Sequence, residues 1–269
     1  MENINRGRPK RTDLDRFQVL AWYKAIDIRS GGLKPPTLER MFLSERVKIN
    51  QGIITRPNLF DCYRAGTMNP RNSDKRKNSF NLIKRVESKF NGTEIWLFHP
   101  IWRFMDSKPI SLQSIHEILV DHQINSFDKF FINTDAENAQ YKRIAWTSVE
   151  DIKEISTENS IDAFIFLLGL MREAEIRLQM IEHSHACHGL RKLAPVIAIC
   201  PELKDIAGEI LDYLELNHFS VTYTTFLGSE LFLSKTWRDI HPLLSNLYTK
   251  SNNLSFKRKP LLDSHKSNI

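Results

Sequence analysis

The longest helical pattern in the chain covers Ser160 to His185, and it constrains the fold more than any other feature. Its first half, Ile161 to Leu168, is almost continuously apolar, which is typical of a helix buried on all sides. After Gly169 the pattern becomes amphipathic, with apolar residues at Met171, Ile176, Met180 and Ile181. Because such a helix needs apolar surroundings along most of its length, we expect a helical core built around it.

Helical signals also dominate the first 110 residues. Thr12 is a suitable N-cap for a helix with two aspartates in its first turn, and Gly31-Gly32 is a suitable end for it. Further helices are predicted from Pro35, over Pro57 to Ala65, and along Phe80, Ile83, Val86 and Phe90 up to Asn91-Gly92. The aromatic stretch Ile95 to Phe104 is interpreted as core.

The remainder is predicted to be helical as well. Helices are expected at Ser111–His122, Ser126–Phe131, Leu190–Ile199 and Glu202–Leu216, with a polar connector over 133–141. Val221 to Thr224 is the one β-prone run, and a single strand does not make a sheet. The predicted fold class is therefore mainly α.

Charge divides the chain unevenly. Residues 1–90 hold 20 lysines and arginines and 9 acidic residues, a net charge of +11, whereas residues 91–269 hold 18 and 23, a net charge of −5. Segregated positive charge is typical of a module that binds a polyanion, because each neutralised phosphate releases counterions. An acidic protein partner and plain solubility are the alternatives.

Composition and charge together predict two helical subdomains, a basic N-terminal bundle and an acidic C-terminal bundle. We expect a basic flexible arm at 1–12, a nucleic-acid-binding domain at 13–107, an oligomerisation or partner domain at 108–250 and a disordered tail at 251–269.

Three widely spaced cysteines form no disulfide framework, and no apolar run approaches the ~20 residues of a membrane span. The N-terminus is polar and basic and is not followed by the apolar segment that a secretory signal contains. We therefore expect a soluble cytoplasmic protein that does not engage a membrane.

The N-terminal sequence Arg6-Gly7-Arg8-Pro9 resembles the core of the AT-hook, a peptide that binds the minor groove of DNA. The resemblance implies that Arg6 and Arg8 lie in a narrow A·T-rich groove, while Lys10 and Arg11 contact phosphates. Upstream, Ile4 and Asn5 stand where AT-hooks usually carry proline or further basic residues. A basic leader that only touches phosphate is the alternative.

The stretch Asn58 to Pro70 resembles the end of the recognition helix in helix-turn-helix domains of the phage-repressor and Cro type. Tyr63, Gly66 and Pro70 follow the aromatic, glycine and proline order of that family. The resemblance implies that Asn58 and Arg64 face base edges and that Arg56 lies near the backbone. The usual short turn is replaced by the longer connection Ser44–Thr55, and an ordinary capped helix is the alternative.

A basic loop follows this helix and completes the predicted site. The full set of predicted nucleic-acid-binding residues is Arg6, Arg8, Lys10, Arg11, Arg56, Asn58, Arg64, Arg71, Lys75, Arg76 and Lys77.

Histidines and a cysteine concentrate at Glu182 to His188, where His183 and Cys187 share a helix face. A transition metal needs three or four ligands, and no second pair follows at finger spacing, so we predict no metal and no cofactor.

Acidic residues at 173, 175 and 182, and at 209, 212 and 215, are typical of solvated helix faces, although some helical nucleases hold magnesium with such residues. No catalytic residues are predicted.

These patterns predict a DNA-binding protein, with transcription regulation as its use and a homodimer or protein partner formed through the C-terminal helices. DNA is favoured over RNA. The alternatives are an effector or accessory subunit of a bacterial toxin–antitoxin or phage-defence system, and a helical nuclease.

Overall fold

The computed structural model describes residues 12–50, 53–70, 82–135, 140–145 and 147–219. These residues form a mainly helical fold, as the sequence predicts, with two small antiparallel hairpins. None of the helices in these ranges combines the length and apolarity that crossing a membrane requires.

Helix α1 (Asp13–Arg29) begins and ends where the sequence predicts. The Thr12 side chain accepts a hydrogen bond from the Asp15 amide at 3.1 Å, and Gly31 and Gly32 follow the helix at φ +71° and +83°. Both faces of α1 are buried. Leu14, Phe17, Ala21 and Ala25 join a large apolar cluster, and Val19, Trp22, Tyr23 and Ile26 join a smaller one. Helix α1 is therefore shared by two cores.

The smaller cluster is completed by helices α2 (Pro35–Phe42), α3 (Leu59–Arg64) and α4 (Leu82–Lys89). Strands β1 (Lys48–Asn50) and β2 (Ile53–Thr55) pair between α2 and α3, where the sequence predicted only a connection. Helix α3 is shorter than the predicted span from Pro57 to Ala65, because Asn58 adopts a left-handed backbone (φ +54°) that cannot continue a helix.

Helices α5 (Glu94–Phe98) and α6 (Pro100–Met105) carry the aromatic stretch. Trp96, Trp102 and Phe104 are buried, as predicted, while Phe98 is half exposed. The Trp102 indole N–H donates to the Trp96 carbonyl at 2.8 Å, which locks the two helices at their junction. The three buried rings belong to the larger cluster together with residues of the C-terminal half, so this core crosses the predicted boundary at residue 107.

Helix α7 (Leu112–Asp121) has Ser111 as its N-cap, within the predicted span. A 3-10 turn, Phe127–Lys129, stands where a short helix was predicted. The polar connector predicted over 133–141 is wrong in part, because strands β3 (Phe131–Asp135) and β4 (Gln140–Arg143) form a hairpin there. Its inward face pairs Phe131 with Arg143, and stacking of Phe131 on Phe127 ties the hairpin to the core.

The single helix predicted from Ser160 to His185 is wrong in its second half. Helix α9 (Ile161–Arg177) ends at Leu178, whose backbone is left-handed (φ +56°), and α10 (Met180–Lys192) folds back against α9 and α8 (Val149–Thr157). The reversal divides the amphipathic part of the pattern, so that Met171 is buried while Ile176, Met180 and Ile181 remain exposed. A side chain at Gly189 would have its Cβ 2.8 Å from Leu167, so glycine permits the close approach of α10.

Helices α11 (Ala194–Ile199) and α12 (Ala207–Leu214) are shorter than the two spans predicted at 190–199 and 202–216. Pro195 lies in the first turn of α11, where its missing N–H costs no hydrogen bond. A π-helical turn, Glu215–Phe219, ends the described chain. The predicted β-prone run at 221–224 and the predicted tail at 251–269 lie outside the described residues.

Candidate nucleic-acid interface

The predicted interface residues fall into two groups. Arg56, Asn58 and Arg64 are described by the structure. The arm residues Arg6, Arg8, Lys10 and Arg11 and the loop residues Arg71, Lys75, Arg76 and Lys77 lie outside the described residues.

Arg56 is partly buried and is engaged by two carboxylates. Its guanidinium Nη1 lies 2.6 Å from the Asp61 carboxylate and 3.2 Å from that of Glu39, which is fully buried. The second oxygen of Glu39 accepts the Phe60 amide at 3.2 Å, at the start of α3. Burial lowers the pKa of Arg56, and its two carboxylate partners outweigh this and raise it. Arg56 therefore joins α2 to α3, and the sequence did not indicate this role.

Asn58 and Arg64 lie at opposite ends of α3, and both are exposed. Asn58 is the N-cap residue, and its side chain makes no capping hydrogen bond. Arg64 has a side chain that is 59% exposed, and its Nη2 lies 3.2 Å from Asp61 on the preceding turn. An exposed i,i+3 pair of this kind contributes at most ~1 kcal/mol, so Arg64 can exchange it for another anion.

The end of α3 packs on the start of α1. A Cβ built on Gly66 would lie 3.0 Å from the Arg16 side chain and 3.1 Å from that of Leu20. Thr12, where the described chain begins, is one helical turn from Arg16. Pro70, the last described residue before the basic loop, is four residues from Gly66 and thus within ~15 Å of it. Thr12 and Pro70, the described residues next to the predicted arm and the predicted loop, therefore both lie within ~15 Å of the contact between Gly66 and α1.

The connection between α2 and α3 departs from the helix-turn-helix pattern. In that motif the two helices are joined by a turn of about three or four residues. Here residues 43–58 join them and contain the β1–β2 hairpin. Helix α3 is six residues long and offers less than two turns to a groove.

Three cations of α1 are neutralised by the acidic half of the chain. Arg16 pairs with Glu209, Lys24 with Asp205 at 2.7 Å, and Arg29 with Glu202 at 3.2 Å. None of these cations belongs to the predicted interface. Part of the positive excess is therefore internal to the fold.

A cleft of about 470 Å³ lies beside these ion pairs. It is lined by α1, by the segment Gly32–Pro35, by Arg64 and by the segment Glu202–Glu209. Its cationic groups come from the N-terminal half and three of its four carboxylates come from the C-terminal half, so no local motif indicates it.

A second polar cluster lies in the C-terminal half, around Glu175 of α9. One carboxylate oxygen lies 3.3 Å from His183 Nε2 and 3.1 Å from His218 Nδ1, and the other bonds to Arg172. His218 Nε2 lies 3.0 Å from the Met105 carbonyl oxygen. Burial raises the pKa of Glu175, but its two histidine hydrogen bonds and the charge of Arg172 outweigh burial and lower it to about 2. The Glu175 carboxylate therefore links α9 to α10 through His183, and to the π-helical turn and α6 through His218.

Cys187 Sγ lies 3.6 Å from His183 Nδ1, so the predicted shared helix face is confirmed. The thiol is buried. Within the described ranges, no three His, Cys, Asp or Glu side chains are arranged to hold a metal ion. The cluster of histidines and cysteine at Glu182 to His188 thus reflects the packing of α10 against α9. Glu175 is the central group of this contact, and the sequence did not indicate that it pairs with the histidines.

Comparison with known proteins gives no relative. No family model, no curated protein and no solved structure matches this chain.

Proposed function

We propose that this protein binds DNA through its basic N-terminal half. The observation that carries the proposal is the proximity of the start of α1, which follows the arm, to the end of α3, which precedes Pro70 and the loop. This proximity is supported by the contact of Gly66 with Arg16 and Leu20. We infer that the arm, α3 and the loop, whose described attachment points lie close together, contact one duplex.

The distribution of charge also supports DNA binding by these elements. The arm, residues 1–11, and the loop, residues 71–81, each carry a net charge of +3. Among the described residues, Arg64 adds an exposed guanidinium at the end of α3. Cations collected in this way gain affinity for a phosphate backbone by counterion release.

The three elements have different roles in the proposal. Arg6 and Arg8 enter a narrow A·T-rich minor groove, with Gly7 allowing close approach of the backbone. Arg64, Arg71 and Lys75 to Lys77 contact phosphates on either side. Arg56 is given a structural role instead, because two carboxylates engage it.

We further propose that the protein regulates transcription and that its C-terminal helices bind a second copy or another protein. Two half-sites bound by a dimer would add affinity and specificity. The exposed apolar side chains at the α9–α10 reversal, which include Ile176, Leu178, Met180 and Ile181, are compatible with such an interface.

The alternative is a nucleic-acid-binding effector or accessory subunit of a toxin–antitoxin or phage-defence system. The observation that favours it is the grouping of Glu175, His183, His218 and Cys187, which combines acid, base and nucleophile types in one cluster. Degradation of labelled RNA or DNA by the protein would favour this alternative over simple binding if Glu175→Gln abolishes it under conditions in which circular dichroism shows that the variant is folded.

The test of the main proposal compares binding to A·T-rich and G·C-rich duplexes by fluorescence anisotropy. We expect an A·T preference in the wild-type protein that Arg8→Ala removes. Arg103→Ala is the matched control, since Arg103 is an exposed arginine on α6 outside the predicted site, and it should leave the preference intact. Equal weakening on both duplexes in Arg8→Ala would make Arg8 a phosphate contact only.

A further inference from the structure

The cleft beside α1 has walls of different origin. One wall comes from the N-terminal elements, with Lys34 on the segment after α1 and Arg64 at the end of α3. The other is the segment Glu202–Glu209. Helix α1 lies between them, on the seam of the two apolar clusters. The volume of the cleft, about 470 Å³, is within the range of ~300–1,000 Å³ that is usual for small-molecule sites.

The acidic wall is neutralised by cations that are already in place. Glu209 is held by Arg16 and Asp205 by Lys24, while Glu202 is held by Arg29 from behind the cleft. A carboxylate engaged by one cation keeps lone pairs that can accept hydrogen bonds from a ligand. This wall therefore suits a ligand that presents N–H donors.

The opposite wall carries two cations, Lys34 and Arg64, that are available to an anionic ligand. Lys34 is exposed, and among the described residues no carboxylate holds its ammonium group. Lys34 is also the N-cap of α2, so its charge adds to the positive end of that helix dipole. Arg64 pairs with the partly exposed carboxylate of Asp61, which it can exchange. A multiply charged anion would satisfy both cations at once.

Apolar side chains lie between the charged walls. Leu20, Leu33 and Ile206 line the cleft, and each packs against one of the two clusters. Tyr23 also lines it and lies within the electrostatic reach of Arg64 and Asp27. A ligand that fits has an anionic end, an apolar or flat middle and hydrogen-bond donors at the far end.

We propose that this cleft binds a nucleoside monophosphate. Lys34 and Arg64 take the phosphate, the apolar residues contact the base and sugar, and the carboxylate of Asp205 on the acidic wall accepts hydrogen bonds from base N–H groups. The nucleotide is either free or the 5′ end of a nucleic acid strand. The proposal does not require DNA binding by the arm, since Arg64 is the one residue that the two sites share.

The experiment is calorimetric titration of the full chain with AMP, adenosine and inorganic phosphate. We expect AMP to bind at least ten-fold more tightly than adenosine or phosphate, because only AMP reaches both walls. Lys34→Ala should weaken AMP binding ten-fold or more. Lys89→Ala, which removes an exposed lysine of α4 outside the cleft, is the matched control and should leave AMP binding unchanged.

Competition identifies the source of the nucleotide. Displacement of AMP by a 5′-phosphorylated single strand, but not by its 5′-hydroxyl form, would assign the cleft to strand ends, and displacement by neither would assign it to free nucleotides. Absence of AMP binding at millimolar concentration, or AMP binding that Lys34→Ala leaves unchanged, would overturn the proposal. Neither result would affect the A·T preference that Arg8→Ala tests, so the two proposals can fail separately.

Discussion

Arg16 and Glu209 form a two-pronged ion pair that joins helix α1 to helix α12. The Arg16 Nη2 atom lies 3.3 Å from one Glu209 oxygen, and Nη1 contacts the other. The hydrogen bonds and charge of Glu209 raise the pKa of Arg16 even though burial opposes the shift. With the Lys24 and Arg29 pairs, this contact places acidic residues from the C-terminal half along α1.

The most buried of these pairs should matter most for stability. Arg29→Ala removes the guanidinium that lies 3.2 Å from Glu202, whose side chain is 2% exposed. We expect the free energy of unfolding to fall by about 3 kcal/mol, since removing one partner of a buried ion pair costs about that much. Lys24→Ala is the control, because its partner Asp205 is 59% exposed, and it should cost less than about 1 kcal/mol. Urea denaturation measures both, and equal losses would contradict this ranking.

Stability should depend on pH through Glu175. Its pKa is lowered to about 2 in the fold, below its ordinary value of 4.5, so the folded state binds protons less readily than the unfolded state. The resulting stability is present above pH 4.5 and disappears as the pH falls towards 2. Its full size is on the order of 3 kcal/mol.

Glu175→Gln removes this titration. Compared with the wild type by denaturation at several pH values, it should be less stable near pH 6, and the difference should shrink between pH 4.5 and 2. A difference that stays constant over this window would mean that the Glu175 carboxylate is not held as described.

The contact between α7 and α9 depends on Gly169. A Cβ at this position would lie 2.6 Å from Leu119 Cδ2, and Leu119 is fully buried. Gly169→Ala should therefore destabilise the protein by about 1–3 kcal/mol, although alanine is the better helix former. In the double variant with Leu119→Ala the clash disappears, so the two changes should cost clearly less than their sum. Simple additivity would show that the helices do not meet at this glycine.

Replacing Leu178 at the α9–α10 reversal with glycine should stabilise the protein. Leu178 is 85% exposed and has a left-handed backbone, a conformation that costs a non-glycine residue about 1 kcal/mol or more. We expect Leu178→Gly to stabilise the monomer by about 0.5 kcal/mol, after the greater freedom of glycine in the unfolded chain is included. Leu178→Ala keeps the backbone strain and should be nearly neutral. A destabilising Leu178→Gly would indicate that the leucine makes contacts in solution, for example with a second copy.

Local chemistry explains which elements were predictable. Thr12, Ser111 and Ser160 each cap a helix with a side-chain oxygen, and these starts are visible in the sequence because the interaction spans only three residues. The break at Leu178 was missed since leucine carries no left-handed signal. Packing of α10 on α9, a tertiary interaction, decides the reversal there.

The site shows the same division. The charge excess and the exposure of Arg64 follow from local sequence, whereas the pairing of Arg56 with Glu39 depends on how α2 and α3 meet. The cleft was not predictable, because Lys34 and Asp205 are 171 positions apart and no motif links them. Long-range ion pairs carry no signal in a single sequence.

The most direct test of the proposed function is the salt dependence of duplex binding by the full chain. Cations of the arm, the loop and Arg64 are proposed to displace counterions, so a plot of log K against log salt should fall with a slope of several units. Replacing Arg71, Lys75, Arg76 and Lys77 with alanine should reduce that slope, by about one unit for each phosphate that is no longer neutralised. A slope near zero, or no binding to duplex DNA even in dilute buffer, would contradict the proposal that the basic N-terminal half binds a phosphate backbone.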